Sequence, residues 1–274
     1  MRLQGSNAYS PYGHSQPAQA QPITHTQNPI VTGTSVLGLK FADGVVIAAD
    51  NLASYGSLAR FSDVKRLRKF NSNAVVGFGG DVSDMQYLDR LLLSLQINQE
   101  YQIPSSTSSS STSTSATSGS EHQSKTQLSA KNLHTYLAKV MYKRRTDFNP
   151  LWNAMLVGGL DDQGNPFLAS ADLLGTTFSS PTLATGFGAH LAIPILRKHV
   201  PDEEAAKKLS REEAVNIIKE CMKVLFYRDA RSMDEYSIAI VSKSEGATLS
   251  ESEKLENQSW AFAEGIRGYG TQVV

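Results

Sequence analysis

Apolar positions along this chain change period several times, and each change marks an element. Val36, Leu37, Leu39 and Phe41 lie in a run opened by Thr34. The turn Ala42-Asp43-Gly44 leads into a second run, Gly44-Val45-Val46-Ile47-Ala48-Ala49-Asp50, which ends in a carboxylate. Short β-prone runs joined by a tight polar turn predict strands over 34–41 and 44–50. A third is expected at 74–78. From Ser83 the spacing lengthens to a helical stripe of Met85, Leu88, Leu91, Leu92 and Leu95, with Ser83 and Gln86 spaced as a capping box. A second helix carries Leu133, Tyr136, Leu137, Val140 and Met141. Strands follow at about 152–159 and 166–171, punctuated by Gly158-Gly159 and Gly164-Asn165. A third helix is expected at roughly 188–199. A fourth opens with the capping box of Ser210 and Glu213 and buries Ala214, Ile217, Ile218, Cys221, Val224 and Leu225. The last strand is 236–241. Strands, two helices, strands, two helices and a strand predict an α+β fold with helices packed on a pair of sheets. The pattern alone does not choose among such arrangements.

Three segments fall outside it. Residues 1–25 are polar, rich in Gln, Ser, Pro and Ala, and are expected to be a disordered leader. The tract at about 104–126, containing Ser105-Ser106-Thr107-Ser108-Ser109-Ser110-Ser111, has too little apolar surface to offset its ordering entropy. It reads as a flexible surface insertion, for which simple loop expansion is a simpler account than a modification site. Residues 258–274 form a tail with spaced aromatic and aliphatic residues, Trp260, Phe262, Ile266 and Tyr269, that resemble anchors for a partner groove. The remainder, 26–257, has no interior linker and reads as one domain.

Composition narrows the function classes. Lys+Arg and Asp+Glu both number 26, so net charge advertises neither nucleic acid nor an anionic membrane. No apolar run is long enough to span a membrane. The one cysteine, Cys221, leaves no internal disulfide and no zinc site; it sits on the apolar side of a predicted helix and is most simply packing. No metal and no cofactor is expected.

The candidate chemistry lies at Gly33-Thr34, a junction at which a self-cleaving hydrolase would expose an N-terminal threonine. Such an enzyme needs the threonine hydroxyl, its own amine as proton acceptor, a lysine that lowers the hydroxyl pKa, and a backbone N–H for the oxyanion. Asp50 closes the second strand, Gly77-Phe78-Gly79-Gly80-Asp81 makes a glycine-rich turn, and Tyr227-Arg228-Asp229-Ala230-Arg231-Ser232 follows the fourth helix. Taken singly these are weak signals. Gly-Thr before a strand is common, Asp50 and Asp229 could each be a turn cap or an ion-pair partner, and no Lys-Ser/Thr follows the glycines to make a phosphate loop.

Taken together the residues resemble the β subunits of the proteasome core particle. The resemblance covers about residues 26–274 apart from the serine tract. It implies a four-layer α-β-β-α sandwich of the N-terminal-nucleophile hydrolase type. It also implies roles for Thr34 as nucleophile, Asp50 as carboxylate, Gly80 as oxyanion donor, and Asp229 and Ser232 as buttresses of the threonine.

Two positions break the pattern. Where the family keeps its lysine this chain has Arg66, which stays charged at any relevant pH and cannot share a proton with a hydroxyl. Lys65 is adjacent, but on a strand it would face the other way. Where active members have serine between two glycines, this chain has Phe187, which offers neither donor nor acceptor and is expected to fill the space of a proton-relaying water. Losing one proton-handling group costs on the order of a hundred- to ten-thousand-fold in rate. The expectation is therefore an inert site and an uncut Gly33-Thr34 bond.

Longer strings, among them Thr26 to Thr34, Asn51 to Phe61, Asn149 to Asn153 and Ser180 to Gly188, resemble one subunit type, that of the seventh β position. The resemblance implies trimming between His25 and Thr26. It implies α and β subunits as partners, in two seven-membered β rings between α rings. It has the tail reach subunits of the opposite ring, and places the protein in cytoplasm and nucleus. Two enzyme readings stay open on the residues alone: a working threonine protease with Arg66 or Lys65 activating Thr34, and a stand-alone amidohydrolase.

Overall fold

The computed structural model describes residues 28–102 and 128–265. The leader, the serine tract, and the end of the tail with Ile266 and Tyr269 lie outside the described residues.

One antiparallel sheet contains β1 (Val31–Gly33), β4 (Ala53–Tyr55), β5 (Leu58–Phe61), β6 (Leu67–Asn71), β7 (Ala74–Asp81), β8 (Asn153–Leu160), β9 (Pro166–Ala171) and β10 (Thr177–Ser179). Its order is β10-β9-β8-β7-β1-β4-β5, with β6 also on β7. The second holds β2 (Val36–Phe41), β3 (Gly44–Asp50), β11 (Thr182–Ala184), β12 (Glu235–Ser242), β13 (Gly246–Leu249) and β14 (Glu253–Lys254). Its order is β11-β2-β3-β12-β13, with β14 on β12. The helices are α1 (Val82–Gln102), α2 (Ala130–Thr146), α3 (Gly188–His199), the single turn α4 (Glu203–Ala206) and α5 (Arg211–Arg228).

Three hydrophobic layers fix the stacking. Phe70, Val76, Phe78 and Met155 of the first sheet pack on Leu88, Leu133, Leu137 and Met141 of α1 and α2. Val36, Val45, Ile47, Val75, Leu156 and Leu168 meet between the two sheets. Leu37, Leu39, Val46 and Ile238 of the second sheet pack on Leu196, Ile218, Cys221 and Leu225 of α3 and α5. Period-two alternation explains this: Val45 and Ile47 face the other sheet while Val46 and Ala48 face the helices. Both faces of each sheet are covered, which is why these strands read as continuous apolar runs. The result is the four-layer α-β-β-α sandwich.

The observed elements refine the expectations. β2 starts at Val36, because the carbonyls of Thr34 and Ser35 go to a side chain and not to the ladder. β7 runs on to Asp81, with Gly79 and Gly80 opposite Ala154 and Asn153. The capping box expected at Ser83 and Gln86 is not what starts α1. Asp81 supplies the cap: its Oδ2 accepts from the Asp84 amide at 3.1 Å and from the Ser83 hydroxyl, placing a carboxylate at the positive end of the helix. The box at Ser210 and Glu213 forms in both directions.

Candidate functional site

The junction between β1 and β2 brings the sequence-predicted residues together. The Thr34 hydroxyl donates to Asp229 Oδ2 at 2.7 Å. Asp229 is buried at the C-terminal end of α5, and its other oxygen accepts from the Arg231 amide at 2.9 Å. No amine, lysine or histidine bonds the Thr34 hydroxyl among the described residues. Above it lies a cleft of about 870 Å³ with Thr34, Gly80, Trp152, Phe187, Arg228 and Asp229 in its lining.

Arg66 lies beneath the same junction, 1% exposed. Its Nε donates to the Asp50 carbonyl at 3.0 Å. Nη1 donates to the carbonyls of Thr34 at 2.9 Å and Phe78 at 3.1 Å. Nη2 donates to the Ser35 carbonyl at 3.0 Å and to Asp50 Oδ1 at 2.8 Å. All five donors of the guanidinium are used. A desolvated cation costs several kcal/mol unless paired and fully hydrogen-bonded, and here it is both. Asp50 is thereby an ion-pair partner. Burial raises its carboxyl above the usual aspartate range, opposed by the Arg66 guanidinium and the Leu52 amide. The Arg66 stem also passes so close to Gly33 that a Cβ there would collide with its Cδ and lie 2.9 Å from its Nε. Only glycine fits before Thr34.

Residues 62–66 form no strand, so the alternation expected for Lys65 does not apply. The outcome is nevertheless the one expected. Lys65 pairs with Asp63 at 2.7 Å with its side chain 42% exposed, away from the buried Arg66.

Three expected roles take a different form. Gly80 has φ of 92°, and a Cβ would strike the Trp152 carbonyl. It stands opposite Gly33 in the β1–β7 ladder. Ser232 does not reach Thr34: its hydroxyl donates to the carbonyls of Leu225 at 2.9 Å and Asp229 at 2.7 Å, closing the end of α5. Phe187 lines the cleft without filling it. It precedes the first turn of α3 in helical conformation and is 56% exposed.

Several site residues were not singled out from the sequence. Strand β1 is one: Val31 and Thr32 pair with Tyr55 and Ser54 of β4, while Thr32 and Gly33 pair with Asp81 and Gly80 of β7. The β-branched pair before Gly33 was the available signal, but three residues are too few to show a period. Asn153 donates from Nδ2 to the carbonyls of Gly79 at 3.0 Å and Asp81 at 2.9 Å, holding the glycine-rich end of β7. Thr185 Oγ1 accepts from the Val36 amide, and Ser35 Oγ accepts from the Gly188 amide at 2.8 Å, tying α3 to the junction. These carry no signature in one sequence.

At the same C-terminal end of α5, Trp260 and Phe262 pack edge-on against the domain's own residues. Their ring centroids lie 5.0 and 5.2 Å from Tyr227, and the Ser259 amide donates to the Tyr227 hydroxyl at 2.7 Å. Each remains about half exposed. The start of the tail is therefore anchored on its own helix, which differs from an anchor held only by a partner groove. His25 and Thr26 lie outside the described residues. Among the described residues no three potential ligands group to hold a metal ion, and no helix is long and apolar enough to cross a membrane.

Known proteins share this chain over nearly its whole length. A family model described as proteasome subunit matches residues 30–132 and 120–241. Proteasome subunit beta type-7 of Saccharomyces cerevisiae is 47% identical over 257 residues, covering 94% of this chain and 91% of the relative. Proteasome subunit beta type-4 of Xenopus laevis is 43% identical over 254 residues, covering 91% and 93%. Proteasome subunit beta type-4 of Arabidopsis thaliana is 34% identical over 251 residues, covering 92% and 91%. The chain belongs to the proteasome subunit family, and within it is similar to the β subunits named type 4 and type 7.

Proposed function

We propose that this chain is a non-catalytic, structural β subunit of the proteasome core particle in intracellular, ubiquitin-dependent protein degradation. One observation carries the reading: the Arg66 guanidinium is spent on four carbonyls and the Asp50 carboxylate. A threonine hydrolase needs a titratable ammonium near the hydroxyl and a free amine on the threonine. Here the residue in the lysine's place is an arginine that bonds the Thr34 carbonyl and makes no bond to Oγ1, whose partner is Asp229. Val31 to Gly33 lie between β4 and β7 on the approach to Thr34, so a peptide delivered there as an extended strand would meet the chain's own backbone. In this reading the leader is trimmed between His25 and Thr26, upstream of β1.

The decisive experiment treats purified particles with a threonine-directed epoxyketone. Catalytic subunits in the same sample acquire the adduct and this chain does not. An adduct on Thr34 would establish the enzyme reading instead.

The useful product of the fold is then assembly: contacts within a seven-membered β ring, with an α ring, and across to the opposite β ring, in cytoplasm and nucleus. Anchoring of Trp260 and Phe262 on α5 fixes where the tail leaves the domain. The remainder, with Ile266 and Tyr269, extends to subunits of the opposite ring. Deleting 261–274 is expected to accumulate half-particles on native gels, and unchanged particle yield would reject the clamp.

A further inference from the structure

The chain is neutral overall, yet α2 carries Lys131, Lys139, Lys143, Arg144 and Arg145 and no acidic residue. Thr135, Ala138, Lys139, Tyr142, Lys143 and Thr146 recur at helical spacing on one face. With Gly175 and Thr177 opposite, they line a largely apolar groove of about 530 Å³. Next to it runs β10, which pairs only with β9 among the described residues and is exposed along its length. Large apolar side chains stand unburied around it: Tyr142 is 57% exposed and Leu174 52%, and Phe178, on the opposite face of β10 from Thr177, is 63% exposed. Gly175 sits against Tyr142, so the β9–β10 turn and α2 form a continuous surface.

We propose that this surface docks an acidic, extended segment of another polypeptide, which adds a strand at the outer edge of β10. Its apolar side chains enter the groove beside Tyr142, and its carboxylates meet Lys139 and the neighbouring cations. An open sheet edge beside a row of apolar contacts is the arrangement used for strand addition. Charge selects the partner. Lys139 makes no ion pair among the described residues, and Arg145 lies over the Tyr142 ring at 5.8 Å. The acidic groups close by are already engaged: Asp147 pairs with Lys143, and Asp172 accepts from the amides of Leu174 and Thr176. The chain's own remaining segments do not fit. Residues 1–27 and 266–274 contain no Asp or Glu, and 103–127 contain Glu121 alone. The inference concerns a face remote in sequence from Thr34 and does not depend on whether that site is catalytic.

The test is fluorescence anisotropy with the full chain and a labelled eight-residue peptide alternating Glu and Val, beside a Lys-Val peptide of the same pattern. The acidic peptide is expected to bind and the basic one not. Raising salt to 0.5 M and the substitution Lys139→Glu should each weaken binding at least tenfold. Phe178→Ala, an exposed position whose loss leaves the fold intact by circular dichroism, should weaken it at least fivefold. Equal binding of both peptides, or wild-type affinity in both variants, overturns the proposal. Sensitivity to Lys139→Glu without any effect of Phe178→Ala overturns strand addition, leaving diffuse charge attraction.

Discussion

At the scale of single residues, Arg66 decides what the site can do. Sequence reasoning identifies it as a substitution that removes a titratable ammonium. The structure adds that it is a fastener, joining the start of β2, the end of β3 and the strand β7 through five hydrogen bonds. Lysine at this position has three donors for five acceptors, so Arg66→Lys leaves at least two buried acceptors unmet. At about 1–3 kcal/mol for each unsatisfied group, the variant should lose roughly 2–6 kcal/mol of stability in urea unfolding and should gain no autolysis at Gly33. Stability equal to the parent, or a chain newly beginning at Thr34, would contradict the role given to the guanidinium. Cys221 is quiet by comparison: it is fully buried on α5, and burial pushes its thiol up to about 12, as suits a packing residue.

At the scale of elements, the interface between the two sheets tolerates little added volume. A Cβ at Gly158 of β8 would lie 2.6 Å from Ile47 Cδ1 and 2.9 Å from Val45 Cγ1. Gly158→Ala should therefore cost about 1–3 kcal/mol. Ile47→Val, which removes the offending methyl, should recover part of that loss, measurable as a coupling in a double-mutant cycle. Strictly additive effects would show that the sheets accommodate the methyl by other means. The elements visible in the sequence were those with long periodic cores, such as β3, β8, β9, α2 and α5. The short β1, β4, β5, β10 and β11 escaped because three or four residues hold no readable period, and β1 and β11 form only through partners distant in sequence. The start of α1 was misplaced for a local reason: Asp81 ends a strand and caps a helix at once, which hides it among strand residues.

At the scale of the whole molecule, the apolar pattern reaches helices on paired sheets, and the family resemblance supplies the four layers. The candidate site was legible to the extent that its residues carry distinctive types: Thr34, Asp50, Arg66 and Asp229 meet in space as expected. What stayed hidden was the use of the site by the chain itself. A strand β1 just before Thr34, paired with β4 and β7, and an arginine that binds backbone carbonyls, are properties of geometry that residue identities do not record. The architecture keeps the sandwich of a hydrolase, with an arginine fastened to backbone carbonyls and Asp50 beneath its threonine. The most direct test is the intact mass of this chain taken from purified particles. The account predicts a polypeptide beginning at Thr26, with the Gly33-Thr34 bond unbroken; a mass corresponding to residues 34–274 would contradict it.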